Sequence, residues 1–364
     1  MPVLSISFVN YRNIEDSTVN LLSKEVYFVG ENGQGKSNIL ESIYMSAYGN
    51  SFRTRNDGEL VKKGFENFSV KTMYRMEDGS TENVSIYYEK GKKKIDRNGK
   101  TVKDRKELIN KMPCVLFCHD DLEFAVGEPE RRRFFIDQCL SMYDLRYIDL
   151  SRNYRKILKS RNIALKEKNY EMLDIYDIQL AENGVEIIKK RRDAIFLFNQ
   201  FFGNLYERIT GIDNLSIKYD PSWKSENNIL ADKNEILSIL EQKRELDKNL
   251  MTTMSGPHRD KIKFVRNGSD FISTASTGQR RLVSILLRVG QAIYYSQLTG
   301  KKPVLLMDDV LLELDPAKRK SVTALLPDYD QLFCTFLPGE PYEMYRQITT
   351  SVFFLEKGSI KKME

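Results

Sequence analysis

Apolar positions recur along this chain with two different periods, and the switches between them divide it into three stretches. In the first stretch the alternation of period two predicts strands over residues 3–11, 68–74, 84–89 and 93–102. The runs 26–29 and 113–118 are continuously apolar and read as buried strands. A helical run, 38–44, follows the first of them, and Arg97-Asn98-Gly99-Lys100 is a hairpin-turn signal. The period then lengthens. Tyr143, Tyr147, Leu150, Tyr154, Leu158 and Leu165 mark one helical face, and Leu173, Tyr176, Leu180, Ile187, Ala194, Phe198, Phe201, Leu205 and Ile209 a second. With a break at Lys168-Asn169, the two helices would measure roughly 35 Å and up to roughly 60 Å, the second interrupted if Gly184 or Gly203 breaks it. Such a hairpin packs its apolar stripes against each other or presents them to a partner.

From Leu215 the strand period returns. Residues 226–249 are polar with one helix-like stretch, 235–246, and a hairpin is predicted over 261–273 around Asn267-Gly268. Ser276 opens a helix to about residue 298, 303–307 is a buried parallel-type strand, and Pro316 starts another helix. Strand-like runs at 331–336 and 351–355 follow.

Composition narrows this picture only a little. The 364 residues suffice for a sizeable core and two lobes, and 41% hydrophobic with 30% charged residues describes an ordinary globular chain. A net charge of +6 is compatible with nucleic acid without demonstrating it. No apolar run reaches bilayer-spanning length and no signal segment opens the chain, so no membrane role and a cytoplasmic location are expected. Cys114, Cys118, Cys139 and Cys334 lack zinc-site spacing and read as buried thiols, and two histidines, His119 and His258, are too few for a histidine-built metal centre.

The chemistry concentrates in Gly30-Glu31-Asn32-Gly33-Gln34-Gly35-Lys36-Ser37, between the strand at 26–29 and the helix at 38–44. Glycines let successive N–H groups curl around a phosphate, the helix N-terminus adds partial positive charge, Lys36 reaches the β- and γ-phosphates, and Ser37 ligates Mg²⁺. The expected ligands are therefore a nucleoside triphosphate, ATP, and Mg²⁺. The strand at 303–307 delivers Asp308-Asp309 at its C-terminal end, where ligands collect in open α/β sheets. There Asp308 would hold Mg²⁺ and Asp309 would activate the attacking water. Ser276-Thr277-Gly278-Gln279 at a helix start is weak in isolation, because helix caps look alike.

Its order after a phosphate loop and one helix before Asp308-Asp309 resembles ATP-binding-cassette ATPases. In them a serine–glycine–glutamine motif reads the γ-phosphate held by a second subunit. The long interval between Ser37 and Ser276 resembles the chromosome-maintenance branch, and five further stretches are similar to the RecF family. They are Asn10-Tyr11-Arg12-Asn13, Ser51-Phe52-Arg53, the run from Glu128 to Asp137 with Arg131-Arg132-Arg133, Ser255-Gly256-Pro257-His258-Arg259-Asp260, and Leu306-Met307-Asp308-Asp309 through Glu313-Leu314-Asp315. The resemblance implies an α/β fold: an ABC-ATPase-like P-loop head of mixed β-sheets with helices (lobe I, 1–122 and 206–364) carrying an inserted α-helical lobe II (123–205). It places Gly30, Glu31, Asn32, Gly33, Gln34, Gly35, Lys36, Ser37, Arg12, Ser276, Gly278 and Gln279 on ATP, with Ser37 and Asp308 on Mg²⁺ and Lys36, Asp308 and Asp309 in hydrolysis.

The implied role is an ATP-dependent homodimer that grips single- and double-stranded DNA at gapped junctions, hydrolyses ATP weakly as a switch, and works with RecR and RecO to help load RecA. Basic clusters at Lys92, Lys93, Lys94, Arg97, Lys100, Lys103 and Arg105, and at Arg152, Arg155, Lys156, Lys159 and Arg161, are either phosphate contacts or solvated faces. The chain departs from the pattern at Cys118-His119-Asp120-Asp121, at Ala275 and Thr277, and at Thr335-Phe336, where many cassette enzymes place a histidine. His119 reads as a strand-end polar residue more than a ligand, and His258 as either a structural turn or a nucleotide contact. Asp309 is one methylene shorter than the glutamate common at that position. A transporter cassette and a phosphate-loop enzyme acting on a small molecule are the competing classes.

Overall fold

The computed structural model describes residues 2–109, 111–224 and 231–363 of the chain. The polar run that begins at Glu226 lies partly outside these residues, as does the side chain of Glu313. The chain divides into two compact units, one formed by Met1–Asp121 with Gln291–Glu364 and the other by Leu122–Gly290.

The first unit holds two six-stranded sheets. One is antiparallel throughout, in the order Ser17–Asn20, Val3–Val9, Phe68–Arg75, Thr81–Glu89, Lys92–Arg97, Lys100–Thr101. Phe68–Arg75 alternates buried and outward positions, as a sheet with one face on a core requires. Asn98 and Gly99 sit at φ 50 and 77, the twist-matched hairpin that their sequence predicts. The other sheet runs Ser359–Lys362, Ser351–Glu356, Glu25–Val29, Gln331–Phe336, Val304–Met307, Cys114–Phe117 and is parallel apart from its C-terminal hairpin. Four of its strands, Glu25–Val29, Gln331–Phe336, Val304–Met307 and Cys114–Phe117, are buried at every position, which is why they appear in the sequence as largely apolar runs. The short strands Ser17–Asn20 and Ser359–Lys362 carry no such signal and are additions to the predicted set.

Helix Lys36–Tyr48 packs against strands of both sheets and is buried around most of its circumference. Ile39, Leu40 and Ile43 join Val70 and Ile86 from one sheet and Phe28 and Phe333 from the other in a single core. A helix so enclosed is ordinarily apolar on every side, yet this one buries Glu41, Ser42 and Ser46.

The second unit contains helices Pro129–Tyr143, Leu145–Lys166, Leu173–Asn199 and Phe202–Thr210, with the antiparallel strands Leu215–Asp220, Lys261–Arg266 and Ser269–Asp270. The long pair packs helix on helix, and their connection turns at Lys168, φ 57. At 22 and 27 residues they are about 33 and 40 Å long. The second stops before Gln200, and neither glycine proposed as a breaker acts as one. A Cβ on Gly184 would lie 2.2 Å from the Trp223 ring and one on Gly203 2.6 Å from the Leu215 carbonyl oxygen, so both serve close packing. Two further expectations are corrected. The stretch 235–246 belongs to two helices, Lys233–Gln242 and Arg244–Leu250, and the end of the predicted hairpin is a helical turn, Phe271–Thr274, that Asp270 caps through the Ser273 amide.

Two buried arginines organise this unit. Arg161 bonds Asp177 at 2.6 Å, Asp247 at 2.7 Å and the Thr253 hydroxyl at 2.9 Å. It is fully enclosed and therefore leaves the set of candidate phosphate contacts. Arg191 forks onto Asp137 at 2.9 and 3.0 Å and reaches Asp260 at 3.0 Å and the Pro257 carbonyl at 2.6 Å. Tyr147 donates to Asp137, and Tyr219 and the Ser222 amide donate to Asp260. Among the described residues, no helix is long and apolar enough to cross a membrane, and all four cysteines are buried thiols outside any disulfide.

Candidate functional site

Strand Glu25–Val29 ends at Gly30, whose amide donates to the Phe336 carbonyl at 3.1 Å. A Cβ on Gly30 would stand 2.7 Å from the Leu355 carbonyl oxygen, so the loop leaves the sheet where only glycine fits. Gly35, at φ 112, precedes the helix, and a side chain there would also strike Ile14. Between them Glu31, Asn32 and Gly33 are exposed, whereas Lys36 is 4% exposed and donates its Nζ protons to the carbonyls of Gly30 at 2.7 Å and Glu31 at 3.2 Å. The ammonium is thus stored inside the hollow of its own loop. Asn13 braces the loop from outside, donating to the Gly33 carbonyl at 2.7 Å, and Gln34 accepts from the Lys357 amide in the C-terminal hairpin.

The sheet order sets Gln331–Phe336 between the strand that feeds this loop and Val304–Met307, which ends at Asp308. Ser37 donates to Asp308 Oδ1 at 2.8 Å. Asp309 turns sharply at φ 54 and ψ 10; its amide donates to Thr335 Oγ1 at 2.8 Å and its Oδ1 accepts from the same hydroxyl at 2.7 Å. Burial pushes the Asp308 carboxyl up to about 6, with the Asp309 charge adding to the rise and the Ser37 bond opposing it. Among the described residues, no lysine or arginine forms an ion pair with either aspartate.

A hydroxyl and a carboxylate oxygen side by side at a phosphate loop are the hard donors that Mg²⁺ takes together with substrate phosphates and water. No cluster of three or more acidic, histidine or cysteine ligands among the described residues offers an alternative cage. Lys36, the loop amides, Ser37 and Asp308 therefore fit a triphosphate with its magnesium ion.

The stretch 10–13 and the stretch 51–53 meet at Glu41, a residue that sequence reasoning missed. Its carboxylate is fully enclosed and accepts from Arg12 at 2.8 and 3.0 Å, Tyr11 at 3.1 Å and Ser51 at 2.5 Å. Arg12 spends its third nitrogen on the Glu59 carbonyl at 3.0 Å. Arg53 is more exposed, lies 4.0 Å from Glu41 and donates to Asn38 at 2.7 Å. One buried carboxylate thus ties both stretches to the helix behind the loop.

Ser276, Gly278 and Gln279 lie in the other unit. The Ser276 amide donates to Gln279 Oε1 at 2.7 Å and the Gln279 amide to Ser276 Oγ at 3.3 Å, a reciprocal capping box. Gly278 is exposed and a Cβ there would meet nothing within 4 Å. Among the described residues, none stands close enough to require that glycine.

His258 is placed on structural duty. Its Nε2 donates to the Thr253 carbonyl at 3.0 Å, so Nδ1 accepts from the Tyr154 hydroxyl at 2.8 Å, and burial pushes the imidazole down to about 4. Arg132 and Arg133 likewise bond backbone carbonyls of Ile262, Ala125 and Asp260. His119 is exposed in the turn after strand Cys114–Phe117. In the first basic cluster Lys93, Lys94 and Arg97 pair with Asp57, Asp96 and Glu82, while Lys92, Lys100, Lys103 and Arg105 are exposed. In the second, Arg152, Arg155, Lys156 and Lys159 are exposed.

The family model described as RecF/RecN/SMC N-terminal domain matches residues 3–361. The DNA replication and repair protein RecF of Treponema pallidum (strain Nichols) is 48% identical over 353 residues, covering 96% of this chain and 98% of its own. RecF of Clostridium perfringens (strain SM101 / Type A) is 34% identical over 366 residues, covering 99% and 100%. Among solved structures, the recombination mediator protein RecF with ATP, of the RecFOR pathway, aligns with a TM-score of 0.89 at 30% identity, over 100% of this chain and 97% of that one. An Smc head bound to the C-winged helix domain of ScpA shares the fold, with a TM-score of 0.59 at 15% identity over 99% and 96%.

Proposed function

The chain belongs to the RecF/RecN/SMC N-terminal-domain family, within its RecF branch, and we propose that it is an ATP-dependent DNA-binding protein of replication and recombinational repair. ATP binds at residues 30–37 with Lys36 on the β- and γ-phosphates. Bound Mg²⁺ would draw charge from the phosphates, held by Ser37 and Asp308. The observation that carries this reading is the 2.8 Å bond between Ser37 and Asp308, which joins loop and strand end into one oxygen-donor set. Two relatives solved with ATP or its thio analogue support the same ligand.

Ser276, Gly278 and Gln279 serve the triphosphate held by a second copy, so ATP closes a homodimer. The open surface over Gly278 supports an approaching partner, because no atom of the described residues comes within 4 Å of a Cβ placed there. The closed dimer grips gapped DNA through exposed lysines and arginines of the two basic clusters, and such binding weakens steeply with salt. Asp309 takes the proton of the attacking water, and slow hydrolysis releases the clamp. RecR and RecO are the proposed partners, with RecA loading as the outcome. Sedimentation with ATP and gapped duplex tests the reading: an ATP-dependent dimer carrying DNA supports it, and DNA binding indifferent to ATP and to Lys36→Ala overturns it. Co-purification with membranes, or no DNA binding at any salt, would favour the competing classes.

A further inference from the structure

Thr335 occupies the position where the sequence showed only a missing histidine, and its surroundings give it a job. It is 3% exposed on the strand between the phosphate-loop strand and the Asp308 strand. In a continuing strand, neighbouring side chains such as those of Asp308 and Asp309 would point to opposite faces. The left-handed turn at Asp309 removes that alternation and brings both carboxylates to one hydroxyl, at 3.4 Å for Asp308 Oδ1 and 2.7 Å for Asp309 Oδ1. A threonine hydroxyl has a single proton to give, and the shorter contact to Asp309 takes it. The same oxygen accepts the Asp309 amide at 2.8 Å, so backbone and carboxylate are held on one atom. No other residue among those described donates to the Asp309 carboxylate.

We propose that Thr335 is the positioning residue for Asp309: it occupies Oδ1 and leaves Oδ2 as the oxygen that receives the proton of the attacking water. This rests on the reading of Asp309 as the base. In that step the water oxygen bonds to the γ-phosphorus as the bond to the β–γ bridging oxygen breaks. ADP and inorganic phosphate leave, and the water proton passes to Asp309 Oδ2. Threonine supplies direction without touching the nucleotide.

The test compares Thr335→Val, which keeps the shape and removes donor and acceptor, with Thr335→Ser, which keeps both. Losing one hydrogen bond to a charged group corresponds to a roughly tenfold or greater loss. The expected result for valine is a single-turnover hydrolysis rate lower by that factor. Equilibrium Mg·ATP binding by calorimetry should stay within about twofold, since Thr335 makes no proposed contact to phosphate. The ATP-dependent dimer should outlive the wild type by the same factor as hydrolysis slows, and serine should retain most of the rate. In an Asp309→Asn background the valine change should add nothing, because both act through one carboxylate. If valine fails to fold, Thr335→Cys, of similar size with a far weaker donor, replaces it. Valine hydrolysing at the wild-type rate while Asp309→Asn is slow overturns the role of Thr335 alone. Asp309→Asn hydrolysing normally overturns the reading on which it rests.

Discussion

The arginine-paired aspartates of the second unit and the Asp308–Asp309 pair of the first are treated in opposite ways, although the first unit also pairs one enclosed carboxylate, Glu41, with Arg12. In the second, Asp137 and Asp260 share Arg191, and Asp177 and Asp247 share Arg161, with tyrosine, serine or threonine partners filling further sites. In the first, the partly buried Asp308 and Asp309 stand together at a strand end; their carboxylates accept from the Ser37 and Thr335 hydroxyls, the Arg53 charge acts on Asp308 without an ion pair, and burial raises the Asp308 carboxyl. A carboxylate whose counter-charge comes from its own chain holds a fold. One whose counter-charge must come from outside is poised for a cation and its phosphates. The difference separates motifs that carry chemistry from motifs that carry structure, although both belong to the same family pattern.

Breaking the satisfied side should have the largest effect. Arg191→Met leaves Asp137 and Asp260 enclosed without their cation and should cost about 3–5 kcal/mol in urea unfolding. A change under about 1 kcal/mol would mean that water or repacking replaces the arginine. Neutralising the unsatisfied side should act in the opposite direction. Asp308 has a carboxyl at about 6 in the fold against an ordinary 3.8. A carboxyl raised by folding supports the fold while protonated. Its contribution is full below pH 4 and lost as pH rises through 6, at roughly 1.4 kcal/mol per unit. Without nucleotide, Asp308→Asn should therefore be more stable than the wild type by about 3 kcal/mol above pH 7 and equal to it near pH 3. The same variant should lose the magnesium dependence of ATP binding. A stability difference independent of pH would remove the buried charge from the account.

Lys36→Ala removes charge-assisted contacts to phosphate and should weaken ATP binding by roughly ten- to hundredfold in calorimetry. The smallest expected effect is the sharpest. Gly278→Ala fills space that the described residues leave empty at a helix start, so the monomer should gain up to about 1 kcal/mol in thermal unfolding. Yet the ATP-dependent dimer should weaken, and a glycine that changes neither property would place the partner elsewhere.

What the sequence revealed follows the reach of local signals. The phosphate loop is contiguous, so residues 30–37 were legible, and Asp308-Asp309 followed because a buried parallel strand announces its own C-terminal end. Glu41 was not legible. It lies on a helix enclosed by two sheets, and its partners Arg12 and Ser51 come from opposite sides of that helix in the chain. Arg161 shows the converse failure: amid Arg155, Lys156 and Lys159 it looked like part of a solvated or DNA-facing row, but its aspartates arrive from residues 177 and 247. Gly184 looked like a helix breaker because the ring packed against it belongs to Trp223. Thr335 registered only as a missing histidine, since its bonds depend on the left-handed turn at Asp309.

The central claim is that ATP held at residues 30–37 completes an interface with a second copy. Sedimentation of the wild type, Lys36→Ala and Gly278→Ala, with and without Mg·ATP and gapped duplex, tests it most directly. The prediction is a dimer on DNA for the wild type only with ATP, a weakened one for Gly278→Ala, and none for Lys36→Ala. A DNA-bound dimer in Lys36→Ala, or one formed by the wild type equally well without ATP, would contradict it.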